Sequence, residues 1–240
     1  MKKFFYTLAS VLILSGIVSQ ADAKTVRPSG RIVRETRAIT GFQNFEVSEG
    51  IEVYATPSDR FSVEVETGAN ALEYVITEIK QGNVLSIRYK NNVNIRNIDT
   101  KVFVSCPEIK NIAVSSSAEF KMTGTFYGTY LSIAASSSSE VEGRIDYEEV
   151  TIAASSSADV DLSGEVYKAT IAASSSSDVD LGNLMAEDVV ATASSSADIS
   201  VYVTGNLKAV ASSGADIEYR GNPKNIDRTV SSGGSIRRDN

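Results

Sequence analysis

The sequence has no histidine and no tryptophan, a single cysteine and four prolines. Without histidine, its many serine triplets have no imidazole base to turn a hydroxyl into a nucleophile. Without tryptophan, it has none of the largest rings on which sugars stack. One cysteine excludes an intrachain disulfide; Cys106 lies in the apolar run Val102-Phe103-Val104-Ser105-Cys106, so it is read as buried, the alternative being a partner-linking thiol. Lysine and arginine are outnumbered by acids, 23 to 30, for a net charge of −7. Nucleic acid and bare anionic lipid, which both require clustered cations, are therefore excluded as partners. Beyond the N-terminus no run is apolar enough to cross a bilayer.

The one apolar run runs from Phe4 to Val18, behind Lys2 and Lys3 and ahead of Ala21-Asp22-Ala23. That order is a secretory signal peptide, with residues 1–23 removed on export; a membrane anchor is the alternative. No cysteine sits near the cleavage site to carry a lipid. The mature chain is expected in the periplasm, on the outer-membrane surface or secreted, with no transmembrane segment. It divides into a strand-rich part, 24–111, and a serine-rich part, 112–240, which can equally be one continuous domain, 24–240.

The second part repeats. IAVSSSAEF starts at Ile112, IAASSSSEV at Ile133, IAASSSADV at Ile152 and IAASSSSDV at Ile171; ATASSSADI, AVASSGADI and a worn TVSSGGSI follow from Ala191, Ala209 and Thr229. Their central serines are Ser116, Ser137, Ser156, Ser175, Ser195, Ser213 and Ser232, spaced 21, 19, 19, 20, 18 and 19 residues apart. So short a unit cannot bury its own apolar side and must stack on its neighbours. From Ile152 to Leu162 the residues alternate between apolar and polar, the strand period rather than the helical one. A glycine follows most units (Gly124, Gly143, Gly164, Gly182, Gly205, Gly221), placed to turn the chain into the next side.

These features predict an all-β fold: a right-handed parallel β-helix, or β-solenoid, of about seven coils. At about 4.8 Å per coil the prism is roughly 29 Å long. The central serines fall on the inward parity, where a ladder of small hydroxyls would let the chain bend and satisfy itself along the column.

Outside the prism, in-register stacking aligns Glu119, Glu140, Asp159, Asp178, Asp198 and Asp216, with Lys121, Glu142, Asp161, Asp180, Ser200 and Glu218 two residues on. Neighbouring charges 4.8 Å apart repel by about 0.9 kcal/mol in water and about 3.5 kcal/mol at an effective dielectric of 20. The face is either simply solvated or relieved by a hard cation such as calcium, for which Glu140, Asp159, Asp178 and Asp198 are the candidate ligands. The Gly-Gly-x-Gly-x-Asp calcium nonapeptide is absent. Ala134, Ala153 and Ala172, with Ser136, Ser155 and Ser174, leave a flat, narrow outer face suited to packing against another subunit.

In the first part, Phe45-Glu46-Val47, Ile51–Tyr54, Phe61–Val65, Val84–Tyr89 and Val102–Val104 read as strands. Asn70 before ALEYVITEIK reads as the N-cap of a short helix. Gly41-Phe42-Gln43-Asn44-Phe45 reads as core packing. No linker separates the two parts, so the first is expected to extend or cap the solenoid core.

The succession GFQNFEVSEGIEVY, KVFVSCPEIKNIAVSSSAEF and repeated SSSADV units resembles the autotransporter-adhesin head family called the GIN domain, frequent in exported proteins of Bacteroidetes. The resemblance covers nearly all of the mature chain. It implies a right-handed β-helix-like fold and a cell-envelope setting, and transfers no catalytic residue. Too few residues follow Ser232 for a membrane barrel, so that part of an autotransporter is expected to be missing.

Three functions compete. The first is a non-catalytic adhesin-like protein binding a glycan or surface protein along one face. The second is a polysaccharide lyase or hydrolase, with paired carboxylates such as Asp159 and Asp161 as acid and base. Its acids, however, look alike in every coil, whereas a catalytic site is a local irregularity. The third is a structural module that homo-oligomerises through the Ala/Ser face.

Overall fold

The computed structural model describes residues 24–96 and 99–239. The expected signal peptide lies outside them. In chain order the strands are β1 (Lys24–Val26), β2 (Ile32–Thr36), β3 (Asn44–Val47), β4 (Glu52–Pro57), β5 (Ser62–Gly68), β6 (Val75–Lys80), β7 (Val84–Tyr89), β8 (Val93–Ile95), β9 (Lys101–Cys106) and β10 (Asn111–Val114). Then come five long strands, β11 (Glu119–Ser136), β12 (Glu140–Ser155), β13 (Asp159–Ala173), β14 (Asp178–Ala193) and β15 (Asp198–Ala211), and finally β16 (Asp216–Gly221), β17 (Asn225–Val230) and β18 (Ser235–Arg238).

From β10 onward each strand pairs in parallel with the one a coil away. This is a β-solenoid of about seven turns. Ile112 lies beside Ile133, Ile133 beside Ile152 and Ile152 beside Ile171, so the repeats align as their spacing requires.

The long strands bend around the prism. A side is a run of alternating burial, and a bend is where the alternation slips. In β12, Ile145 and Tyr147 point in, Glu148 and Glu149 both point out, and Val150 points in again. The same slip recurs at Tyr167-Lys168 and Glu187-Asp188. With the serine bend and the glycine bend this gives three sides per coil. The core is a column of Ile, Val, Leu and Ala through the repeats, closed at its base by Phe42, Phe45, Phe61 and Phe120, whose rings meet edge to face 5.0–5.5 Å apart. Gly41–Phe45 is thus core packing, and Cys106 is fully buried.

The serine bend differs from expectation. The seven central serines face solvent rather than the core. All have positive φ, from 49° to 59°, and in five coils the next serine does too. The reason is geometric: two successive left-handed residues make the tight turn. Its i to i+3 bond closes from the Ala158 N–H to the Ser155 carbonyl, and likewise at Ala118, Ala197, Ala215 and Gly234. Coils are joined here by backbone. The Ser117 N–H donates to the Ser137 carbonyl (3.0 Å), Ser138 to Ser156 and Ser157 to Ser175, while just past the turn Asp159 donates back to Ser139 (2.9 Å). The left-handed pair therefore reverses the ladder's direction for one step.

Two serines one place further on do enter the core. Ser139 and Ser177 stand where other coils have alanine. Each accepts from the backbone N–H three residues back (3.0 and 3.1 Å) and donates to the carbonyl of Val114 or Ala154 (both 3.1 Å).

The first half shares the core, but not in chain order. β3 and β4 form one coil below β10 and β11; β7 and β9, later in sequence, form another beneath them. Antiparallel β6 closes that coil's first side, and antiparallel β5 and β2 close its second. The segment expected to be a helix behind Asn70 is a 3₁₀ turn, Leu72–Tyr74, followed by β6. Val75, Ile76, Thr77 and Ile79 are β-branched and pair against β7. Asn70 caps nothing; its side chain ties down Arg27 and Ser29.

Candidate functional site

The two acidic columns exist on the side after the serine bend. Glu119, Glu140, Asp159, Asp178, Asp198 and Asp216 are successive ladder partners, continued below by Glu52; Glu142, Asp161 and Asp180 form the second column. Cations bracket them. Lys121 lies 3.0 Å from Glu119 and 3.5 Å from Glu142, Lys101 lies 3.5 Å from Glu52, and Arg237 pairs with Glu218. The hydrogen bond to Glu119 holds the Lys121 ammonium above its ordinary pKa. Between these ends, Asp159, Asp161, Asp178 and Asp198 have no ion pair among the described residues.

The cost of that spacing is visible in protonation. Partial burial first, then Asp198, Asp159, Asp180 and Asp161, push the Asp178 carboxyl above its ordinary pKa. Burial followed by Asp180 and Glu142 raises Asp161; burial raises Glu140, opposed in part by Lys121. Among the described residues no three acids, cysteines or histidines are grouped to hold a metal ion. The cation candidates Glu140, Asp159, Asp178 and Asp198 stand in file along the axis rather than around a centre.

The Ala/Ser face lies on the side before the serine bend. Ala113, Ala134, Ala153 and Ala172 stack outward in register, flanked by Ser136 and Ser155, above a shallow open trough of about 580 Å³.

The third side is different in chemistry. Of nine exposed large hydrophobics among the described residues, four lie along it or at its edge: Tyr127, Tyr130, Tyr167 and Met185. Tyr127 and Tyr167 are 63% and 56% exposed. Tyr127, Asp146, Glu165 and Met185 are ladder neighbours in successive coils. An open groove of about 320 Å³ runs between Tyr167 and Met185, and its lining carries Asp146, Glu148, Glu165 and Glu187. Its floor is fixed: the Tyr147 ring fits only because residue 128 is glycine, where a Cβ would come 2.5 Å from it, and the Tyr147 hydroxyl donates to the Ile109 carbonyl at 2.8 Å.

The sequence profile described as "putative auto-transporter adhesin, head GIN domain" matches residues 41–223. The chain belongs to the GIN-domain family. Solved structures share the fold of this GIN domain. One is described as a putative adhesin from Bacteroides fragilis (TM-score 0.84, 18% identity, 89% of this chain and 100% of that one). Another, from Parabacteroides merdae, carries the same description (0.74, 17%, 91% and 100%). A third, from Parabacteroides distasonis, is described as a putative lipid binding protein (0.74, 20%, 90% and 100%). At such identities the likeness concerns the fold. No curated protein matches the chain.

Two features of the GIN domain escaped the reading of its sequence. One is an eighth repeat. FEVSEGIEV, from Phe45, aligns with IAVSSSAEF; Glu49 and Gly50 have φ of 67° and 71°, and the Gly50 N–H donates to the Ser116 carbonyl (2.9 Å). The signal was present, but Glu-Gly in place of Ser-Ser and the 67 residues to the next copy concealed it. The other is the tyrosine side. Tyr127, Tyr130 and Tyr167 fall in the least repetitive stretch of each coil, so no column marked them.

Proposed function

We propose that this GIN domain is the non-catalytic binding head of an exported, adhesin-like cell-envelope protein, holding a glycan or protein partner on a lateral side of the prism. The observation that carries this is the exposure of Tyr127, Tyr130, Tyr167 and Met185 together on one rigid side, where aromatic bodies with polar tips suit contact with a wet partner. Export rests on the charged, apolar and small-residue order of residues 1–23. Among the described residues no helix is long and apolar enough to cross a membrane. The site needs no cofactor. Asp159 and Asp161 repeat in kind as Asp178 and Asp180 one coil on, which suits a solvated face better than a single acid–base pair. The Ala/Ser trough supports a secondary reading as a self-association face, since its small outward residues allow close approach.

The test is to screen the mature chain against immobilised glycans and extracellular-matrix proteins, then repeat any positive with Tyr127→Ala/Tyr167→Ala and with Asp159→Lys/Asp178→Lys. The tyrosine pair should lower binding at least several-fold and the aspartate pair should not. Binding that survives the tyrosine changes would refute this side as the contact surface, and release of reducing ends or unsaturated products would refute the non-catalytic reading. Light scattering during the same work reports self-association.

A further inference from the structure

We propose that the tyrosine–carboxylate groove receives an arginine-bearing segment of a partner polypeptide; this rests on the reading that the tyrosine side is the contact side. The apolar exposure shows where contact occurs, and the charge determines with what. The groove lining has four carboxylates, Asp146, Glu148, Glu165 and Glu187, and neither lysine nor arginine. None of the four is in an ion pair among the described residues, whereas the rim lysine, Lys168, is already 3.8 Å from Glu149. The groove lining is therefore an uncompensated anionic surface around the exposed Tyr167 ring, and a cationic occupant is its electrostatic complement.

Register makes the fit more specific. Tyr147, Val166 and Ala186 are ladder partners, as are Glu149, Lys168 and Asp188, so Glu148, Tyr167 and Glu187 occupy one level in three successive coils. At this level the Tyr167 backbone therefore has Glu148 one coil below and Glu187 one coil above, each about one strand spacing, 4.8 Å, away along the axis. A guanidinium is flat, stacks on an aromatic face and carries five donors in its plane, so one arginine can lie on the ring while bonding a carboxylate at its edge. An ammonium lacks the flat stacking face, and a neutral sugar would leave the carboxylates without a counter-charge. The floor of Gly128, Tyr147 and Val166 is set before any ligand arrives, so little ordering is needed on binding.

The probes are fluorescein-labelled nona-arginine, the matching nona-lysine and labelled maltoheptaose, titrated by anisotropy into the mature chain at physiological salt, with circular dichroism confirming that each variant is folded. Nona-arginine should bind saturably and more tightly than nona-lysine. Tyr167→Ala should weaken it about two- to fivefold, and Glu148→Gln/Glu187→Gln about tenfold. Asp159→Asn/Asp178→Asn, on the other acidic side, should leave it unchanged. Equal binding by the groove variants and the parent, loss confined to the Asp159/Asp178 variant, or no saturable binding would each overturn the proposal. Maltoheptaose binding that depends on Tyr167, without nona-arginine binding, would also overturn it while leaving the tyrosine side standing as the contact surface.

Discussion

Serine does two different things in this chain, and position along a nine-residue motif decides which. The central serine and its successor adopt left-handed φ, a conformation costing an ordinary L-residue about 1–2 kcal/mol. The chain itself places glycine at the second position in Gly50, Gly214 and Gly233. The fourth residue is alanine in most coils, and Ser139 and Ser177 mark where a hydroxyl enters the core. Each hydroxyl accepts from the N–H three residues back and donates to a carbonyl of the coil below. Ser139→Ala and Ser177→Ala should therefore each cost about 1 kcal/mol, the net value of a buried hydrogen bond. Urea unfolding of the two variants checks this; variants as stable as the parent would show that the bridging hydroxyls are dispensable. At the same scale, burial pushes the Cys106 thiol up to about 12, which accounts for an inert side chain rather than a partner-linking one.

Within a coil, tolerance is unevenly distributed. Coil lengths vary, yet the serine bend stays in register throughout. The differences are absorbed around the glycine bend, where pairing shifts between Lys121 and Thr125, between Asp161 and Ser163 and between Leu181 and Met185, with one further shift between Ala186 and Asp188. The physical cause is that the serine bend carries a backbone bond to each neighbouring coil, whereas at the glycine bend the ladder is interrupted in some coils, as between Leu181 and Met185 against β15. Two extra glycines between Gly182 and Asn183 should thus lower stability by no more than about 1 kcal/mol, as a lengthened surface loop does. The same pair between Ser175 and Ser176 should cost several times more, because it removes bonds to Ser157 and Ser195. Urea midpoints that fall equally for the two insertions would contradict this account. The glycine bend is not slack everywhere: at Gly164, φ is +117° and a Cβ would lie 1.9 Å from the Ile145 carbonyl oxygen.

Across the whole molecule, parallel stacking brings like side chains into files, which suits the core and penalises the acids. Glu140, Asp161 and Asp178 have folded-state pKa values above their ordinary ones. A carboxyl raised on folding holds its proton more tightly in the native chain, so its contribution to stability is complete below the ordinary pKa and is lost as pH rises through the raised value. Lys121 stays charged throughout this range and does not alter the sign. The contribution of these three carboxyls should therefore fall as pH rises from about 4, the ordinary carboxylate range, through their raised values, and Asp178→Asn should raise the thermal midpoint at pH 7 and flatten its pH dependence just above about pH 4. An Asp178→Asn midpoint at pH 7 no higher than the parent's would show that repulsion along the columns is negligible.

The sequence alone determined the solenoid, its register and the composition of two of its sides. A strict repeat with strand period admits one way of burying its apolar parity, and the Ser116-to-Ser232 spacing is the coil spacing itself. It also announced that Cys106 and Phe42 would be buried, because they sit in apolar runs. Tertiary structure decided the rest. That Val75–Lys80 is a strand followed from the open edge of β7 needing a partner, which local propensity around Asn70 cannot express. That the central serines face out followed from two left-handed residues changing the parity count, which alternation read along a straight strand cannot anticipate. That β7 and β9 lie beneath β3 and β4, and that three tyrosines and four carboxylates meet on one side, depends on contacts between residues far apart in the chain, and no periodicity along the chain encodes such contacts.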